Sequence, residues 1–373
     1  MKKLNEKEWK EFSFTEIFDI RKGFYNKKPE DSGDGTIPFL GATDSNNGVT
    51  RFLTYQEIES SSKTGDMNNS PIEKKIFPGH AIAVTNNGSV GHAYYQATEF
   101  TCSHDVNPLY LRDHEMSRDE ADFLIKAIEE QGKLFQYARK WRPIRMVKSK
   151  IMLPVDDDGK PDYGYMAQYA SEMRGGMLMR YKYFIAEQLS QLEYKEIPAL
   201  NEKEWKIFRV GDFFEVSRPI ARNKDAYESG DIPFVASGSM NNGIMKYCTP
   251  HDGEYLDAAN CVTVSPVDGS SFYQPIEFLG RGGAGSSILI LRDSRLNKFN
   301  GQFIARLIQQ TCSKYTYGHM GNKDSIKRER VMFPVTDSGE PDYAYMEQYV
   351  KNMMLRKYRQ YLAYLDRQSK RQE

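Results

Sequence analysis

Several features that mark specialised proteins are scarce or missing in this sequence. Its 373 residues include four cysteines, Cys102, Cys248, Cys261 and Cys312, with no Cys-x-x-Cys pair among them. That spacing argues against a zinc knuckle and a disulfide framework, so all four read as reduced thiols. No run approaches the ~20 apolar residues of a membrane span. The start, Met1-Lys-Lys-Leu-Asn-Glu-Lys-Glu-Trp9, has no apolar stretch of the signal-peptide kind. A cytoplasmic protein without a membrane partner is expected. Charge of one sign is missing too: Lys plus Arg and Asp plus Glu both number 51. That balance excludes a surface coated uniformly to grip a polyanion, but leaves local patches open. Composition is otherwise ordinary for a globular chain, and the length suggests two or three domains.

What is present is a sequence written twice. Leu4-Asn-Glu-Lys-Glu-Trp-Lys10 recurs letter for letter as Leu200-Asn-Glu-Lys-Glu-Trp-Lys206. Ile37-Pro-Phe, followed by Asn46-Asn47-Gly48, answers Ile232-Pro-Phe, followed by Asn241-Asn242-Gly243. Pro154-Val-Asp-Asp-Asp-Gly-Lys-Pro-Asp162 answers Pro334-Val-Thr-Asp-Ser-Gly-Glu-Pro-Asp342. A period this long means duplicated domains rather than a solenoid. Most of the length difference falls between Val49 and Ala81, so the frame is shared and the inserts differ. Such a pattern suits two modules doing one mechanical task on two ligands.

Each copy has two parts. Residues 12–112 and 208–292 carry short apolar or alternating runs broken by Asn-Gly, Asp-Gly and Pro signals, which predict strands and turns. A helix follows near Arg118 to Gln131 and Lys298 to Gln310, with Phe123, Ile125 and Ile128 at roughly helical spacing. A long helix is then launched from Pro161-Asp162 and Pro341-Asp342, where the Asp is a cap after a Gly turn. Met166, Tyr169, Met173, Met177 and Phe184 recur at three- and four-residue steps along the first rod. Met346, Tyr349, Met353, Tyr358 and Leu362 do so along the second. Rods of about 30 residues reach roughly 45 Å. Packing of the two stripes as an antiparallel coiled coil is expected, with two unrelated core helices as the alternative. Gly175-Gly176 bends the first rod or marks the close approach of a neighbour.

Catalytic signatures are few. No Gly-x-x-x-x-Gly-Lys-(Ser/Thr) loop and no His-Glu-x-x-His occurs. Gly280-Arg-Gly-Gly-Ala-Gly285 lacks the dinucleotide-loop spacing. Asn107-Pro-Leu-Tyr110 approaches the Asn-Pro-Pro-(Tyr/Phe) motif of DNA amino-methyltransferases but has no cofactor motif beside it, and reads as the start of a strand. Asp156-Asp-Asp-Gly159 lacks the later Glu of a calcium loop and reads as a turn; no metal site is expected.

Basic residues say more. Lys133 to Lys150 contains Arg139, Lys140, Arg142, Arg145 and Lys148 with no acid, and Tyr137 and Trp141 interleave them. The matching stretch, Lys314 to Arg330, holds Lys323, Lys327 and Arg328 with Tyr317, His319 and Asn322. Cations neutralise phosphates, while amides and guanidinium forks read base edges. Asn46, Asn47, Asn86, Asn87, Asn241 and Asn242 could supply such amides, although Asn-Gly pairs also simply make turns. Ser89, Arg51, Lys246 and Arg281 complete the candidate DNA contacts.

In the order globule, long helix, globule, long helix, the chain resembles the specificity (S) subunits of type I restriction-modification systems, and is similar to those of type IIB enzymes. The resemblance rests on the two Ile-Pro-Phe and Asn-Asn-Gly elements, on Asn87-Gly-Ser-Val-Gly-His-Ala-Tyr-Tyr95 with Ser103-His-Asp-Val106, and on basic stretches leading to Leu153-Pro-Val and Phe333-Pro-Val. The second copy departs at Arg281-Gly-Gly-Ala-Gly285, where the Ser-x-Asp-Val element is missing. The resemblance implies an α+β fold with an internal pseudo-two-fold repeat. Mostly-β target-recognition domains would span 1–157 and 198–337, and spacer helices 158–197 and 338–373. Each domain would read half of an asymmetric bipartite duplex DNA target. Two methyltransferase subunits, optionally joined by motor-nuclease subunits, would dock on the rods and hold all S-adenosylmethionine, Mg and ATP. This chain would have no catalytic residue and no cofactor. A catalytic protein, such as a single-chain methyltransferase, and a non-DNA adaptor with two binding modules are the rival readings.

Overall fold

Residues 2–66, 70–135, 138–283, 285 and 287–369 are described by the computed structural model, and the chain divides into two units, 1–181 and 182–373. The first contains β1 (Trp9–Ser13), α1 (Phe14–Ile17), β2 (Phe18–Ile20), β3 (Ile37–Leu40), β4 (Val49–Leu53), α2 (Tyr55–Ser60), β5 (Ala81–Thr85), β6 (Ala93–Gln96), β7 (Thr101–Cys102), β8 (Val106–Leu111), α3 (Arg118–Gly132), α4 (Pro143–Met146) and β9 (Lys150–Pro154). The long helix α5 (Tyr163–Ser190) follows, its last turns counted with the second unit. The second unit continues with β10 (Trp205–Arg209), α6 (Val210–Phe213), β11 (Glu215–Ser217), β12 (Ser229–Val235), β13 (Ile244–Cys248), β14 (Cys261–Val264), β15 (Ser271–Gln274), β16 (Leu279–Gly280), β17 (Leu289–Arg292), α7 (Asn300–Cys312), α8 (Lys323–Arg328), β18 (Arg330–Pro334) and α9 (Tyr343–Ser369).

Strand order is the same in both units. An antiparallel sheet runs β2-β8-β5-β6 in one and β11-β17-β14-β15 in the other. A three-stranded sheet runs β4-β3-β7 and β13-β12-β16, and a ribbon pairs β1 with β9 and β10 with β18. The insert between Val49 and Ala81 adds α2 to the first unit. Asn107-Pro-Leu-Tyr110 lies within β8, with Asn107 fully buried.

All five residues of β5 are buried because its two faces serve two cores. Ile82 and Val84 pack with Leu124, Ile128, Trp141 and Met166. Ala81 and Ala83 pack with Phe39, Phe77 and Phe100. Short apolar runs of this kind are the mark of a strand covered on both sides. Helix α3 begins with a reciprocal cap: the Glu120 amide donates to Ser117 Oγ at 3.2 Å and the Ser117 amide to the Glu120 carboxylate at 2.7 Å. Its buried face is Ala121, Leu124 and Ile128; of the three expected apolar positions Ile128 is buried, and Phe123 and Ile125 are only partly buried.

The repeated N-terminal motif is explained by the rods. Asp162 Oδ1 accepts from the Tyr165 amide at 2.9 Å, and Asp342 Oδ1 from the Tyr345 amide at 2.9 Å, so both carboxylates cap their helices. Their other oxygens take the ammonium groups of Lys7 and Lys203. Trp9 and Trp205 donate to the carbonyls of Leu4 and Leu200 and lie against Phe123 and Phe303. Before each cap, Gly159 and Gly339 adopt φ of 74° and 83°, left-handed values that favour glycine at these turns.

The apolar stripes divide. Met166 and Met346 are fully buried in the cores of their own units. Tyr169 and Tyr349 meet Phe123 and Phe303 edge-on at 5.8 and 5.4 Å. These first turns therefore anchor each rod to its own domain. Farther along, Met173, Met177 and Phe184 are exposed, and Met353, Tyr358 and Leu362 are half-buried. Helix α5 continues through Gly175 and Gly176, and nothing among the described residues comes within 4 Å of where a Cβ would sit on either.

Candidate nucleic-acid interface

Between α3 and β9 the first basic stretch folds around two buried side chains. Trp141 stacks on Phe135 at 5.0 Å and meets Phe14 edge-on at 5.4 Å. Its Nε1 donates to Ser149 Oγ at 2.9 Å, and that hydroxyl donates to the Arg145 carbonyl at 3.1 Å. Met146, the other anchor, is fully buried in α4, which Pro143 initiates. With Trp141 and Met146 facing inward, Arg139, Arg142, Arg145 and Lys148 are left exposed. Arg139 lies over the Phe135 ring at 5.3 Å, and Arg145 Nη1 donates to the half-buried Lys140's carbonyl at 2.7 Å. A cleft of about 480 Å³ opens among Phe135, Arg139, Arg145, Lys148 and Lys150, with Glu11 as its carboxylate. Trp141 is thus core and does not interleave the cations at the surface; Tyr137 lies outside the described residues.

A second cleft, of about 690 Å³, occupies the same place in the other unit, among Lys314, Tyr315, His319, Asn322, Arg328 and Arg330. Gly321 stands where the first unit has Trp141. A Cβ there would come within 3.1 Å of the Tyr315 ring, which fills the space instead. Tyr315 donates its hydroxyl to the Glu329 carboxylate, which also pairs with Lys314 at 2.6 Å. Burial, then Glu329, pushes the Tyr315 phenol up to about 12. His319 lies nearly parallel to Tyr315 at 6.1 Å. Tyr317 is 82 % exposed, and Lys323, Lys327 and Arg328 are exposed on α8. At a spacing of 180 residues, Arg139, Arg142, Arg145 and Lys148 correspond to His319, Asn322, Ser325 and Arg328. One frame therefore presents two different sets of donors.

Several other candidates sit in turns, caps or bonds of the fold. Asn46, Asn47, Asn241 and Asn242 have φ between 49° and 57°. Asn tolerates this region because its short amide can bond locally. Asn47 Nδ2 donates to the Tyr95 carbonyl at 3.1 Å, and Asn242 Nδ2 to the Tyr273 carbonyl at 3.2 Å, tying the small sheet to the larger one in both units. Asn46, Asn47 and Asn241 are left exposed, and Asn242 is half-buried. Asn86 is buried, its amide donating to the His104 carbonyl at 3.0 Å and to Asn107 Oδ1 at 2.6 Å. Asn87 donates to Asp105 at 2.9 Å, and the Ser89 carbonyl accepts from the Thr85 hydroxyl. Arg51 pairs with Asp31 at 3.0 Å, and Lys246 donates to the Tyr227 carbonyl at 2.8 Å. Asn322 caps α8, accepting from the Asp324 and Ser325 amides. Arg281 is half-buried in the loop after β16. Asn86 and Asn242 each spend both amide hydrogens within the fold, and Asn47 spends one.

Two exposed groups carry no composition signal. Ile144, between the exposed Arg142 and Arg145, is 72 % exposed. Phe52 and Tyr247 stand outward at matching places on β4 and β13, opposite Pro38 and Pro233. Only pairing of the two copies after folding brings them to notice.

Comparisons with known proteins also divide the chain into two domains. Residues 6–174 and 202–361 each match the type I restriction modification DNA specificity domain. The chain belongs to this family. Over 344 residues it is 24 % identical to the type II restriction enzyme BgcI specificity subunit S.BcgI of Heyndrickxia coagulans, covering 92 % of this chain and 93 % of that one. The S subunit of a type I restriction-modification system from M. genitalium shares its fold at a TM-score of 0.51 and 15 % identity, with 98 % of this chain and 94 % of that one covered. The protein is a specificity subunit, whose task is recognition of a DNA target. Among the described residues of this specificity subunit no cluster of His, Cys, Asp or Glu is arranged to hold a metal, and no helix is long and apolar enough to cross a membrane.

Proposed function

We propose that each unit of this specificity subunit reads one half of an asymmetric bipartite duplex, with 1–157 and 198–337 as the readers. The observation that carries this reading is the recurrence of the basic cleft at the same place in both units, lined by Arg139, Arg145 and Lys148 in one and by His319, Asn322 and Arg328 in the other. Identical clefts would read identical half-sites; different donors on one frame read different ones. The spacer segments, 158–197 and 338–373, pair as an antiparallel coiled coil and set the distance between half-sites in a pseudo-two-fold arrangement. Two methyltransferase subunits dock on the rods in the cytoplasm, optionally joined by motor-nuclease subunits. S-adenosylmethionine, Mg and ATP belong to those partners, and the extruded base is theirs to modify.

Selection from a random duplex pool by the complex with its methyltransferase partner tests the reading. Recovery of one sequence with two unequal specified halves around an unspecified spacer is expected. Recovery of a palindrome, or of no consensus, would overturn it.

A further inference from the structure

The short helices beside the two basic clefts, α4 and α8, start differently, and the difference commits different side chains to the fold. In the second unit Asn322 opens α8 by accepting from the Asp324 and Ser325 amides at 3.0 and 2.9 Å. Ser325 completes the reciprocal cap, its Oγ accepting from the Asn322 amide at 2.8 Å. Both side chains are thereby taken by the helix. In the first unit Pro143 opens α4 with no N–H to satisfy, and Arg142 makes no side-chain cap bond. Arg145 reaches back to the Lys140 carbonyl. At the end of the series Lys148 and Arg328 are exposed cations in both units, which suits the phosphates that every duplex supplies.

One outward position remains. Ile144 and Asp324 stand at the spacing of 180 residues that relates the two clefts, each two places before a fully buried anchor, Met146 or Ile326. The anchors hold the two helices in one frame. Ile144 is 72 % exposed. Asp324 is exposed too, and among the described residues no hydrogen bond or ion pair takes up its carboxylate. Neither side chain suits a phosphate, which repels a carboxylate and gains nothing from an apolar group. Yet cations flank both: Arg142 and Arg145 beside Ile144, Lys323 and Lys327 beside Asp324. Base edges in the major groove offer each a partner. The apolar group there is the thymine methyl. A carboxylate accepts only, so it suits the amino group of cytosine; that of adenine lies next to the N7 acceptor, which opposes a carboxylate. Asp324 also lies in the first turn of α8, where an acid favours the helix start. Ile144 has no such role.

We propose that Ile144 and Asp324 are specificity-determining residues at one matched position of the two clefts. Ile144 covers the methyl of a thymine in one half-site, and Asp324 accepts from the amino group of a cytosine in the other. The phosphate cations around them are kept from copy to copy while the base contact is exchanged. This assignment rests on the two units being readers of separate halves and adds which residue reads which base.

Uracil, which is thymine without its methyl, tests the first contact with the protein unaltered. The complex with the methyltransferase partner is titrated with the duplex recovered by selection, each thymine replaced by uracil in turn. Binding should weaken about fourfold at one position, as the loss of one buried methyl implies. The same replacement should have no effect on the complex of Ile144→Ala, whose side chain is too short to reach and whose thermal unfolding should be unchanged. No response to uracil, or a response that persists in Ile144→Ala, would overturn the Ile144 contact. Repeating the selection with Asp324→Asn should turn one specified cytosine of the other half into adenine, because an amide donates as well as accepts. A cytosine that stays, or a position left unspecified, would overturn the Asp324 contact. Either failure leaves the two readers standing, whereas a palindrome or no consensus with the unaltered chain would overturn them as well.

Discussion

Lys7 Nζ lies 2.6 Å from Asp162 Oδ2, and the repeat of this pair, Lys203 and Asp342, is 2.8 Å apart. The pair joins the first letters of each copy to the cap of its rod, at the far end of the domain in sequence. Each ammonium also lies over a tyrosine of that rod, Tyr165 or Tyr345, at 4.9 and 5.1 Å. A motif repeated letter for letter is thus a fastening for the helix.

Acid stability follows from this pair. Burial pushes the Asp162 carboxyl up, but the Lys7 ammonium and the Tyr165 amide more than offset it and hold the group below its usual range. A carboxyl depressed in the folded chain gives stability that is fully present above its unfolded value, ~3.9, and lost as pH falls through the folded value. Asp162→Ala should cost about 1–2 kcal/mol at neutral pH, the worth of a lost cap. It should also flatten the decline of stability below pH ~4. Urea unfolding at stepped pH reads both.

Removing exposed cations should separate binding from folding. Arg142→Ala with Arg145→Ala should leave thermal unfolding unchanged, weaken DNA binding by the complex, and reduce its salt slope by about 1 for each phosphate no longer neutralised. Trp141→Ala should do the reverse in order of cause. It opens a core cavity at a cost of about 3–5 kcal/mol, and the basic loop loses its anchor with it. Calorimetry and a binding titration at several salt concentrations distinguish the two.

At the Asn-Gly turns, substitution separates backbone conformation from base contact. Asn47 holds φ of 52°. Asn47→Ala should destabilise by about 1–2 kcal/mol, since a residue with a Cβ and no local amide is strained there. Asn47→Gly should cost less, and neither should change which sequence is bound. A change of half-site in Asn47→Gly would return this residue to the DNA interface.

The second unit has a buried pair network. Arg222, its side chain 1 % exposed, donates to Glu254 at 2.8 Å and to Asp257 at 2.7 Å. Burial pushes the Glu254 carboxyl up, and Arg222 and Tyr227 bring it below the ordinary range. Arg222→Met should strand two carboxylates and destabilise the second unit by about 3–5 kcal/mol. Hydrogen exchange should show that loss in 182–373 and not in the first unit.

The repeat, the strand-and-turn blocks, the two helices and the Pro-Asp caps were all legible because each is written in local spacing. Which side of a loop faces the core was not. Trp141 sits among cations in sequence yet is the largest fully buried side chain, since only the tertiary contacts with Phe14 and Phe135 give it a place. Asn86 and Asn87 are adjacent and similar, but β8 passes beside Asn86 and takes its amide. Phe123 and Ile128 are both apolar, but which face of α3 is buried is decided by where β5 and β6 lie. Sequence pattern located the basic stretches; the inward anchors between their cations needed the fold.

Exchanging residues 198–337 for the corresponding reader of another family member, and mapping the DNA bound by the resulting complex, tests most directly whether each unit reads its own half. The half-site belonging to the second unit should change while the other half and the spacer stay as they were. A change in both halves, or in neither, would contradict independent reading by the two units.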